Sequence, residues 1–302
     1  MSDFLLTSIE NTFLCKPNEF ERPRPGLWPS ESSVEYIRNG RKIVKGKCMR
    51  AAYYRGCQVP RTSQASATLS MTGEIGKQVE QACVERWKKM RLWRGNNIKF
   101  YNPTSYISGE LDCILENPET HKDFGVEVKS FYGPQAEREI FGAKKPPLAG
   151  KPKDGHFLQA CIYKRDYLDI LESYRLYYID RGNGHRAEFE VGLEPEGSDF
   201  RPYWRQLDGF YWITFSEEKF LQPYLMSDID NRLKTLIQKI KKRELPPAEF
   251  KETYNAEDVE IRYTDGEISD NKYKKYKTGE KLGDWECSYC DWTEQCRRDG
   301  RD

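Results

Sequence analysis

The sequence predicts an α/β fold with a central sheet, followed by a polar C-terminal region that ends in clustered cysteines. Helix-like and strand-like segments alternate through the middle of the chain, which is the order expected for a sheet with helices packed on it. Hydrophobic residues make up 37% and charged residues 32% of the 302 residues, as in globular proteins. The region after residue 250 is polar and weakly patterned until three cysteines close to its end.

The individual elements follow from periodicity and from residues that stop a helix. Ile75, Val79 and Cys83 recur on one face of the first helix, and Pro246-Pro247 stops the last one. Four prolines indicate an extended lead-in over residues 15–35. In chain order, the predicted elements are a helix over 70–93, strands near 97–101, 105–116 and 124–131, a helix over 155–171, strands over 174–180 and 185–192, and a helix over about 222–243.

The N-terminus and the hydropathy of the chain argue against secretion and against a membrane partner. The opening residues MSDFLLTSIENTF contain an early acid and no basic segment, unlike a signal peptide. No apolar run approaches the length of a membrane span. We therefore expect a cytoplasmic protein, either of a cell or of a virus-infected host. Because the net charge is only +1, a polyanionic partner would have to be recognised through local basic segments.

Nine cysteines in a chain without a secretion signal predict metal binding rather than disulfides. Cys287, Cys290 and Cys296 form a C-x2-C-x5-C group at the C-terminus. A tetrahedral sulfur site needs four thiolates, so the fourth must come from another part of the chain. Four thiolates suit zinc or an iron–sulfur cluster, and from the spacing alone zinc is favoured.

Two carboxylates and a lysine lie in neighbouring strand-like segments. Asp112 ends the sequence GELD, and Glu127 and Lys129 lie in the next apolar segment, GVEVKSF. Residues two apart on a strand share a face, and a hairpin would bring Asp112 beside them. Carboxylate oxygens are the ligands that Mg²⁺ prefers, and a lysine can offset the charge of a reacting phosphate. An ion pair on an exposed edge strand would give the same E-x-K pattern, so both interpretations are open from spacing alone.

The second predicted helix carries a polar pair that faces the same way. Gln159 and Tyr163, in the sequence HFLQACIYK, stand at positions i and i+4 and therefore share one helical face. Beside a metal site, these side chains could hold a phosphate or a base in place. Without such a site they would be ordinary polar residues of an amphipathic helix.

Taken in order, these motifs resemble those of a nuclease superfamily. GELD, VEVK and QACIY resemble the GxxD, ExK and QxxxY series of RecB-like PD-(D/E)XK exonucleases. Lys47-Cys48-Met49-Arg50 and the terminal WECSYCDWTEQC resemble the split cysteine set of that family's iron–sulfur members. These members include CRISPR-associated iron–sulfur exonucleases and the nuclease subunits of bacterial helicase–nucleases. The resemblance spans roughly residues 28–296.

The resemblance implies an αβββαβ nuclease core at residues 66–215. It implies a helical iron–sulfur subdomain built from residues 1–65 and 216–302. Mg²⁺ or Mn²⁺ would bind Asp112 and Glu127, with Lys129 as the catalytic lysine. Gln159 and Tyr163 would complete this site. The implied ligands of a 4Fe–4S cluster are Cys48, Cys287, Cys290 and Cys296.

In one feature the chain departs from the family pattern. Many of these nucleases have a metal-binding histidine in the first core helix, whereas the corresponding segment here, TGEIGKQVEQ, has none. Glu80 is the replacement ligand that we predict, and Glu74 is the alternative, although an acid near a helix start often only caps it. Cys57 is the alternative to Cys48 as the fourth cluster ligand.

Local basic segments support a DNA partner. The segment between the ExK and QxxxY motifs, residues 138–153, is basic, and we expect this loop to contact phosphates. Its predicted DNA-binding residues are Lys144, Lys145, Lys151 and Lys153. A charge run of this kind is often only a solvated face.

We therefore expect a metal-dependent DNA exonuclease that acts on single-stranded ends, in DNA repair, recombination or replication. A helicase, recombinase or integrase could be its partner. The alternative is a DNA-binding accessory protein that keeps the nuclease fold and the cluster but cleaves little without a partner. A zinc-stabilised structural protein is a third hypothesis, which would leave the alignment of acids and lysine unexplained.

Overall fold

The chain divides into two compact units. The structure is a computed structural model that describes residues 26–62, 67–144, 147–167, 169–209 and 218–300. One unit comprises Met1–Gly46 with Ala65–Thr235, and the other comprises Lys47–Gln64 with Leu236–Asp302. The boundaries expected from the family resemblance, 66–215 for the core and 1–65 with 216–302 for the subdomain, differ from this division.

The helices and strands are numbered in chain order. The strands are β1 (Ser33–Arg38), β2 (Arg41–Gly46), β3 (Trp93–Asn102), β4 (Ile107–Glu116), β5 (Asp123–Phe131), β6 (Gly142–Lys144), β7 (Pro147–Ala149), β8 (Tyr174–Asp180), β9 (Arg186–Glu196), β10 (Asp199–Gly209) and β11 (Phe220–Leu221). The helices are α1 (Met49–Gly56), α2 (Ala67–Lys89), α3 (Pro134–Phe141), α4 (Asp154–Asp166), α5 (Met226–Lys242), α6 (Ala256–Thr264), α7 (Asp270–Lys277), α8 (Trp285–Ser288) and α9 (Thr293–Arg298). A short 3-10 helix over Pro29–Glu31 precedes β1.

A mixed sheet forms the centre of the first unit. In the part of the chain that the structure describes, it has seven strands in the order β11-β10-β9-β8-β5-β4-β3. Strands β5 and β8 run parallel, and the other neighbouring strands are antiparallel. The chain between β5 and β8 carries α4, because parallel strands need a long crossover connection. The predicted α/β class is confirmed.

Helices α2 and α4 lie on opposite faces of this sheet. Trp87 of α2 packs against Tyr177 with ring centroids 5.8 Å apart, and His156 of α4 packs against Tyr178 at 5.7 Å. Consecutive residues of a strand point to opposite faces, so the two helices sandwich β8. The core under α2 contains Cys83, Val84, Cys113, Leu115, Phe124, Val126 and Val128.

Several predicted boundaries were wrong at their ends. The first helix ends at Lys89 rather than at 93, because β3 already begins at Trp93. The second helix ends at Asp166 and the third begins at Met226. Helix ends are decided by caps and by tertiary packing, which periodicity does not resolve.

Two further features of the first unit were missed. Strands β1 and β2 form a hairpin that pairs Arg38 with Arg41 across Asn39-Gly40, in what we expected to be partly an extended lead-in. Asn39 and Gly40 have φ values of 51° and 72°, the left-handed conformation that Asn-Gly favours in two-residue turns. The dipeptide was therefore a usable signal. The other feature is the pair of strands β10 and β11 at one edge of the sheet, neither of which was predicted.

The second unit is helical in the part of the chain that is described, apart from its extended connections. It contains α1, the C-terminal part of α5 and helices α6 to α9. Among the helices that the structure describes, none combines the length and the apolar character that crossing a bilayer requires.

Candidate functional site

The candidate site lies where β4 and β5 separate. The two strands pair from Glu116 and Asp123 as far as Cys113 and Val126. Beyond this point β4 continues to pair with β3, and β5 with β8. The Asp112 carboxylate replaces the next ladder bond, because its Oδ2 accepts the backbone N–H of Val128 at 2.9 Å. Asp112 is thereby held beside the strand segment that carries Glu127 and Lys129.

Glu127 is the most highly coordinated side chain of the site. Its side chain is buried, with 2% of the residue exposed. Oε1 accepts from Lys129 Nζ at 2.6 Å and from Gln159 Nε2 at 2.8 Å. Oε2 accepts from the Tyr174 hydroxyl at 3.1 Å. A buried carboxylate without such donors would carry a large desolvation cost, so these contacts explain how Glu127 is accommodated.

Gln159 and Tyr163 reach the site from α4. Both are buried, and the one-turn spacing between them brings Gln159 Nε2 within 3.3 Å of the Tyr163 hydroxyl. The hydroxyl in turn donates to the backbone carbonyl of Glu110, in β4, at 3.0 Å. The pair therefore links the helix to both diverging strands. In the structure, the direct contacts of this pair hold Glu127 and β4 in place.

Glu80 approaches the same acids from α2. It stands one turn before Cys83 and Val84, which pack against the sheet, so the helix that buries them also turns Glu80 inwards. Burial and the neighbouring Glu127 carboxylate raise the pKa of Glu80. Glu80 therefore lies in the electrostatic field of the Glu127 carboxylate. The alternative, Glu74, is paired with Lys77 at 3.7 Å.

The site is a cluster of acids with one partly compensating cation. Burial and the Glu127 carboxylate raise the pKa of Asp112 well above its usual range. Burial alone would lower the pKa of Lys129, but Glu127 and Asp112 outweigh this and raise it. Because three carboxylates face one ammonium, the cluster would attract a further cation.

Two further residues of the site were not anticipated from the sequence. Tyr174 contacts Glu127 because β8 pairs in parallel with β5, with Gly125 opposite Tyr174. No pattern of neighbouring residues in the sequence predicts such a pairing of two distant strands. His156 stands one turn before Gln159 on α4, and its Nδ1 lies 3.0 Å from the Tyr178 hydroxyl. Its i, i+3 spacing from Gln159 was a usable signal.

The acids are of the residue type that binds divalent cations, but their side chains are not arranged around one point as metal ligands are. Among the described residues, no three His, Cys, Asp or Glu side chains come together closely enough to hold a metal ion as they stand. The donor set of Asp112, Glu127 and Glu80 nevertheless fits Mg²⁺ or Mn²⁺, which take carboxylate oxygens and water. Within the described part of the chain, Glu127 Oε2 accepts a single hydrogen bond, from Tyr174, so the tyrosine can orient this oxygen while a lone pair stays available for an ion.

The predicted cluster ligands lie together in the second unit. Cys48 immediately precedes α1, and burial raises its pKa. Cys296 lies on α9, where its Sγ accepts a hydrogen bond from Arg50 at 3.6 Å. The Thr293 hydroxyl lies 3.0 Å from the carbonyl oxygen of Cys287 and 3.1 Å from that of Cys290. The two short C-terminal helices are thus tied together around the cysteines.

The thiols fit a sulfur-ligated group by chemistry, although they are not gathered into a closed site. All eight cysteines within the described residues are free. The same unit also contains Cys57, whose thiol interacts with the Tyr53 hydroxyl. The structure therefore brings both candidates for the fourth ligand, Cys48 and Cys57, into the unit of the C-terminal three. Thiolates bind both zinc and iron–sulfur clusters, so the location of these cysteines is compatible with either group.

The basic segment at residues 138–153 is not a simple loop. It contains the end of α3 and the β6–β7 hairpin, in which Ala143 pairs with Leu148. Gly133 and Pro134 begin α3, whose Ile140 and Phe141 are buried. The burial of these two apolar side chains, rather than the charge pattern, determines the structure of the segment.

The four predicted DNA-binding lysines differ in how far the structure describes them. Lys151 is exposed, whereas Lys153 is half-buried and its backbone N–H donates to the Tyr178 hydroxyl at 3.1 Å. Lys144 belongs to β6, but its side chain lies outside the described part, and so does the whole of Lys145.

Comparison with known proteins adds no family assignment. No protein-family model matches the chain, and no curated protein matches it.

Proposed function

We propose that this protein is a metal-dependent deoxyribonuclease of the PD-(D/E)XK superfamily. The observation that supports the proposal most is the arrangement of Asp112, Glu127 and Lys129 at the divergence of β4 and β5. Separation of two strands lets side chains from both of them converge, as a site that holds a metal ion against a phosphate requires. An exposed ion pair on an edge strand does not explain this arrangement, since Glu127 is buried and β5 lies inside the sheet.

Each residue of the site has a defined role in the proposal. Asp112 and Glu127, with Glu80, would hold Mg²⁺ or Mn²⁺, which polarises the phosphate and acidifies bound water when present. Lys129 would offset the negative charge that develops on the reacting phosphate. Gln159 orients Glu127 through its hydrogen bond, and Tyr163 fixes Gln159 and β4. These hydrogen bonds of Gln159 and Tyr163 form without a metal ion.

We further propose a 4Fe–4S cluster on Cys48, Cys287, Cys290 and Cys296. The support is the common location of these cysteines in one compact unit, together with the resemblance of their sequence context. A cluster would join two chain segments that are far apart in sequence, and closing such a long loop stabilises a fold in principle. The expected readout is a brown protein with iron and acid-labile sulfide in near-equal amounts, whereas zinc without sulfide would contradict it.

The proposed substrate is single-stranded DNA, attacked from an end, in the cytoplasm. The support is the family resemblance and the basic residues near the site, of which Lys151 is exposed and Lys153 precedes α4. A helicase, recombinase or integrase is the proposed partner class. Circular single-stranded DNA is the informative substrate, because an end-dependent enzyme leaves it intact.

A DNA-binding accessory role is the second candidate, and two observations favour it. Both oxygens of Glu127 already accept hydrogen bonds, from Lys129, Gln159 and Tyr174. The first core helix also lacks the histidine that many relatives in the superfamily use. An accessory protein would bind DNA but cleave it slowly at every metal concentration unless a partner is added.

The deciding experiment combines cleavage with site-directed variants. Purified protein is incubated with Mg²⁺ or Mn²⁺ and end-labelled DNA, linear and circular, single- and double-stranded. Asp112→Asn, Glu127→Gln and Lys129→Met should each reduce cleavage by about 100-fold or more, the loss typical of a removed electrostatic partner. Asp112→Asn keeps an acceptor for the Val128 N–H and therefore preserves the local fold.

Asp123→Asn is the matched control. Asp123 begins β5 in the same sheet, and its carboxylate is 40% exposed beside Arg94. This variant should cleave as the wild type does. Undiminished cleavage in any of the three site variants would overturn the site assignment, and equal losses in the control would point to general destabilisation.

A further inference from the structure

The helical hairpin formed by α6 and α7 is joined to the rest of the second unit by two chain segments that are hydrogen-bonded to each other, here called the neck. The backbone N–H of Tyr254 donates to the carbonyl of Leu282 at 2.7 Å, and that of Asp284 donates to Lys251 at 2.7 Å. The chain between these residues therefore departs from and returns to nearly the same place. Within the hairpin only Val259 and Ile268 are buried apolar residues. Most of its surface is free of a packing role inside the unit.

The charges of this hairpin are segregated between its two helices. Helix α6, AEDVEIRYT, carries three acids and one arginine. Helix α7, DNKYKKYK, carries four lysines and one acid, and none of its residues is buried. All four lysines, Lys272, Lys274, Lys275 and Lys277, are exposed. This segregation creates a local positive surface in a chain whose net charge is only +1.

The position of α7 is set by aromatic and polar contacts rather than by a core. The Tyr273 ring stacks on the Tyr263 ring with centroids 3.8 Å apart and planes 7° apart. The Tyr273 hydroxyl donates to Glu260 at 2.7 Å, and Lys277 pairs with the same carboxylate at 2.8 Å. These contacts use one side of the helix, so α7 is held in place while its remaining lysines stay accessible.

The lysines away from these contacts are largely uncompensated. Lys275 pairs with Glu280 at 3.5 Å, a partly exposed and therefore weak ion pair. Lys272 and Lys274 make no ion pair with any residue in the described part of the chain. Four lysines and two tyrosines without an acid between Asn271 and Gly279 are the composition of a surface that binds a polyanion.

We infer that α7 is a docking surface for the sugar–phosphate backbone of DNA, separate from the acid–lysine site of the first unit. The inference rests on the proposed function for its choice of polyanion. An acidic protein partner is disfavoured, because the tyrosines that could anchor a protein interface are already engaged within the hairpin: Tyr273 stacks on Tyr263, and the Tyr276 ring packs beside Tyr273. Lysines that contact phosphates would supply affinity without sequence preference. The surface thus retains substrate without taking part in the chemistry.

The test is DNA binding measured without cleavage. The protein as purified is mixed with a fluorescein-labelled 30-nucleotide single strand, with EDTA to chelate Mg²⁺ and Mn²⁺ and so prevent turnover, and anisotropy is followed over a range of salt concentrations. Lys272→Gln/Lys274→Gln/Lys275→Gln should weaken binding about tenfold at 0.1 M salt. The slope of log affinity against log salt should fall by about 2, since each phosphate contact on a single strand contributes about 0.7.

Lys42→Gln/Lys122→Gln/Lys234→Gln is the control, because it removes the same charge from exposed lysines of the first unit. It should bind within about twofold of the wild type. Equal weakening in the two triple variants would reduce the effect to net charge and overturn the inference, as would unchanged binding in the α7 variant. If poly-glutamate bound α7 and DNA did not, the surface would belong to an acidic protein instead.

Cleavage separates this inference from the proposed function. With Mg²⁺ present, the α7 variant should show a raised KM and an unchanged kcat at saturating DNA. Protein that binds DNA through α7 but never cleaves it would contradict the nuclease proposal and leave the docking surface standing. Protein that cleaves normally with no change in KM would do the reverse.

Discussion

At the scale of single residues, the site is organised around one buried carboxylate. Glu127 accepts hydrogen bonds from Lys129, Gln159 and Tyr174, and the three donors come from β5, α4 and β8. Removing one donor leaves a buried acceptor partly unsatisfied, which costs more than the net value of the bond. The orientation of Glu127 should therefore depend on residues that never touch the substrate.

Tyr174→Phe tests this dependence. Without the hydroxyl, Oε2 of Glu127 loses its donor, so we expect the Mn²⁺ concentration for half-maximal cleavage to rise about tenfold, or about 1.4 kcal/mol. Binding of Mn²⁺, measured by calorimetry without DNA, should weaken in parallel. Tyr178→Phe is the control, because Tyr178 is equally buried but bonds to His156 and not to Glu127. Matching metal affinities in both variants would contradict a positioning role for Tyr174.

His156 gives the site a pH-dependent contribution to stability. Burial, with the nearby Lys129 and Lys153, lowers the pKa of His156 well below its usual range. The imidazole beside Tyr178 is therefore neutral in the folded protein. An unfolded histidine titrates near about 6.5, so its contribution is complete above that pH and is lost as the pH falls.

The expected result is a difference in slope between variants. In EDTA, the free energy of unfolding of the wild type should fall below about pH 6.5 by up to about 1.4 kcal/mol per pH unit more than that of His156→Gln. Urea denaturation at several pH values measures this. His121→Gln, at a histidine whose side chain is 79% exposed, should keep the wild-type slope. Identical slopes for the wild type and His156→Gln would disprove the assignment.

At the scale of elements, the divergence of β4 from β5 is what turns a motif into a site. The sequence spacing of Asp112 and Glu127 predicts only that two strands bring them close. Their convergence depends on the ladder ending at Cys113 and Val126, where the Asp112 side chain accepts the N–H of Val128. The first part of α5 is joined to the same unit by polar contacts of its own.

Arg232 attaches α5 to the first strand of the unit. Its Nε donates to Ser33 Oγ at 3.0 Å, and its Nη1 pairs with Glu35 at 2.7 Å. Arg232→Ala should lower the free energy of unfolding by about 2 kcal/mol, the usual loss for a hydrogen bond to a charged group. Lys42→Ala removes the other cation on Glu35, but its side chain is 57% exposed, so we expect a change within about 0.5 kcal/mol. Chemical denaturation distinguishes the two, and equal effects would contradict the docking role.

At the scale of the whole molecule, the second unit is assembled from two distant chain segments. Lys47–Gln64 supplies Cys48, and Leu236–Asp302 supplies Cys287, Cys290 and Cys296. The first unit is continuous except for the strands before Gly46. A group bound to all four thiolates would therefore stabilise the second unit by restricting a very long loop.

Under the proposed cluster assignment, Cys48→Ser should yield protein without iron and lower the melting temperature of the second unit by roughly 10 °C or more, since loss of a structural metal is among the most destabilising changes. Cys57→Ser should retain iron and change the melting temperature little. Iron and sulfide analysis with differential scanning calorimetry of anaerobically purified protein measures both. The opposite ranking would move the fourth ligand to Cys57.

Sequence alone determined the class of the fold and the chemistry that the chain can offer. The alternation of helical and strand periodicity predicted the α/β class, and local spacing placed Gln159 and Tyr163 on one helical face. The Asn39-Gly40 hairpin was also within reach of local rules, since its dipeptide is a turn signal. These features depend on residues close together in the chain.

Only the tertiary structure decided which residues meet. Tyr174 reaches Glu127 through a parallel pairing whose register no local pattern encodes. Glu80 comes near Glu127 because the packing of Cys83 and Val84 sets the rotation of α2. The accessibility of α7 likewise follows from the stacking of Tyr273 on Tyr263 and from the hydrogen-bonded neck at the base of the hairpin. Contacts between distant segments depend on packing summed over the whole fold, and short-range periodicity contains no information about that sum.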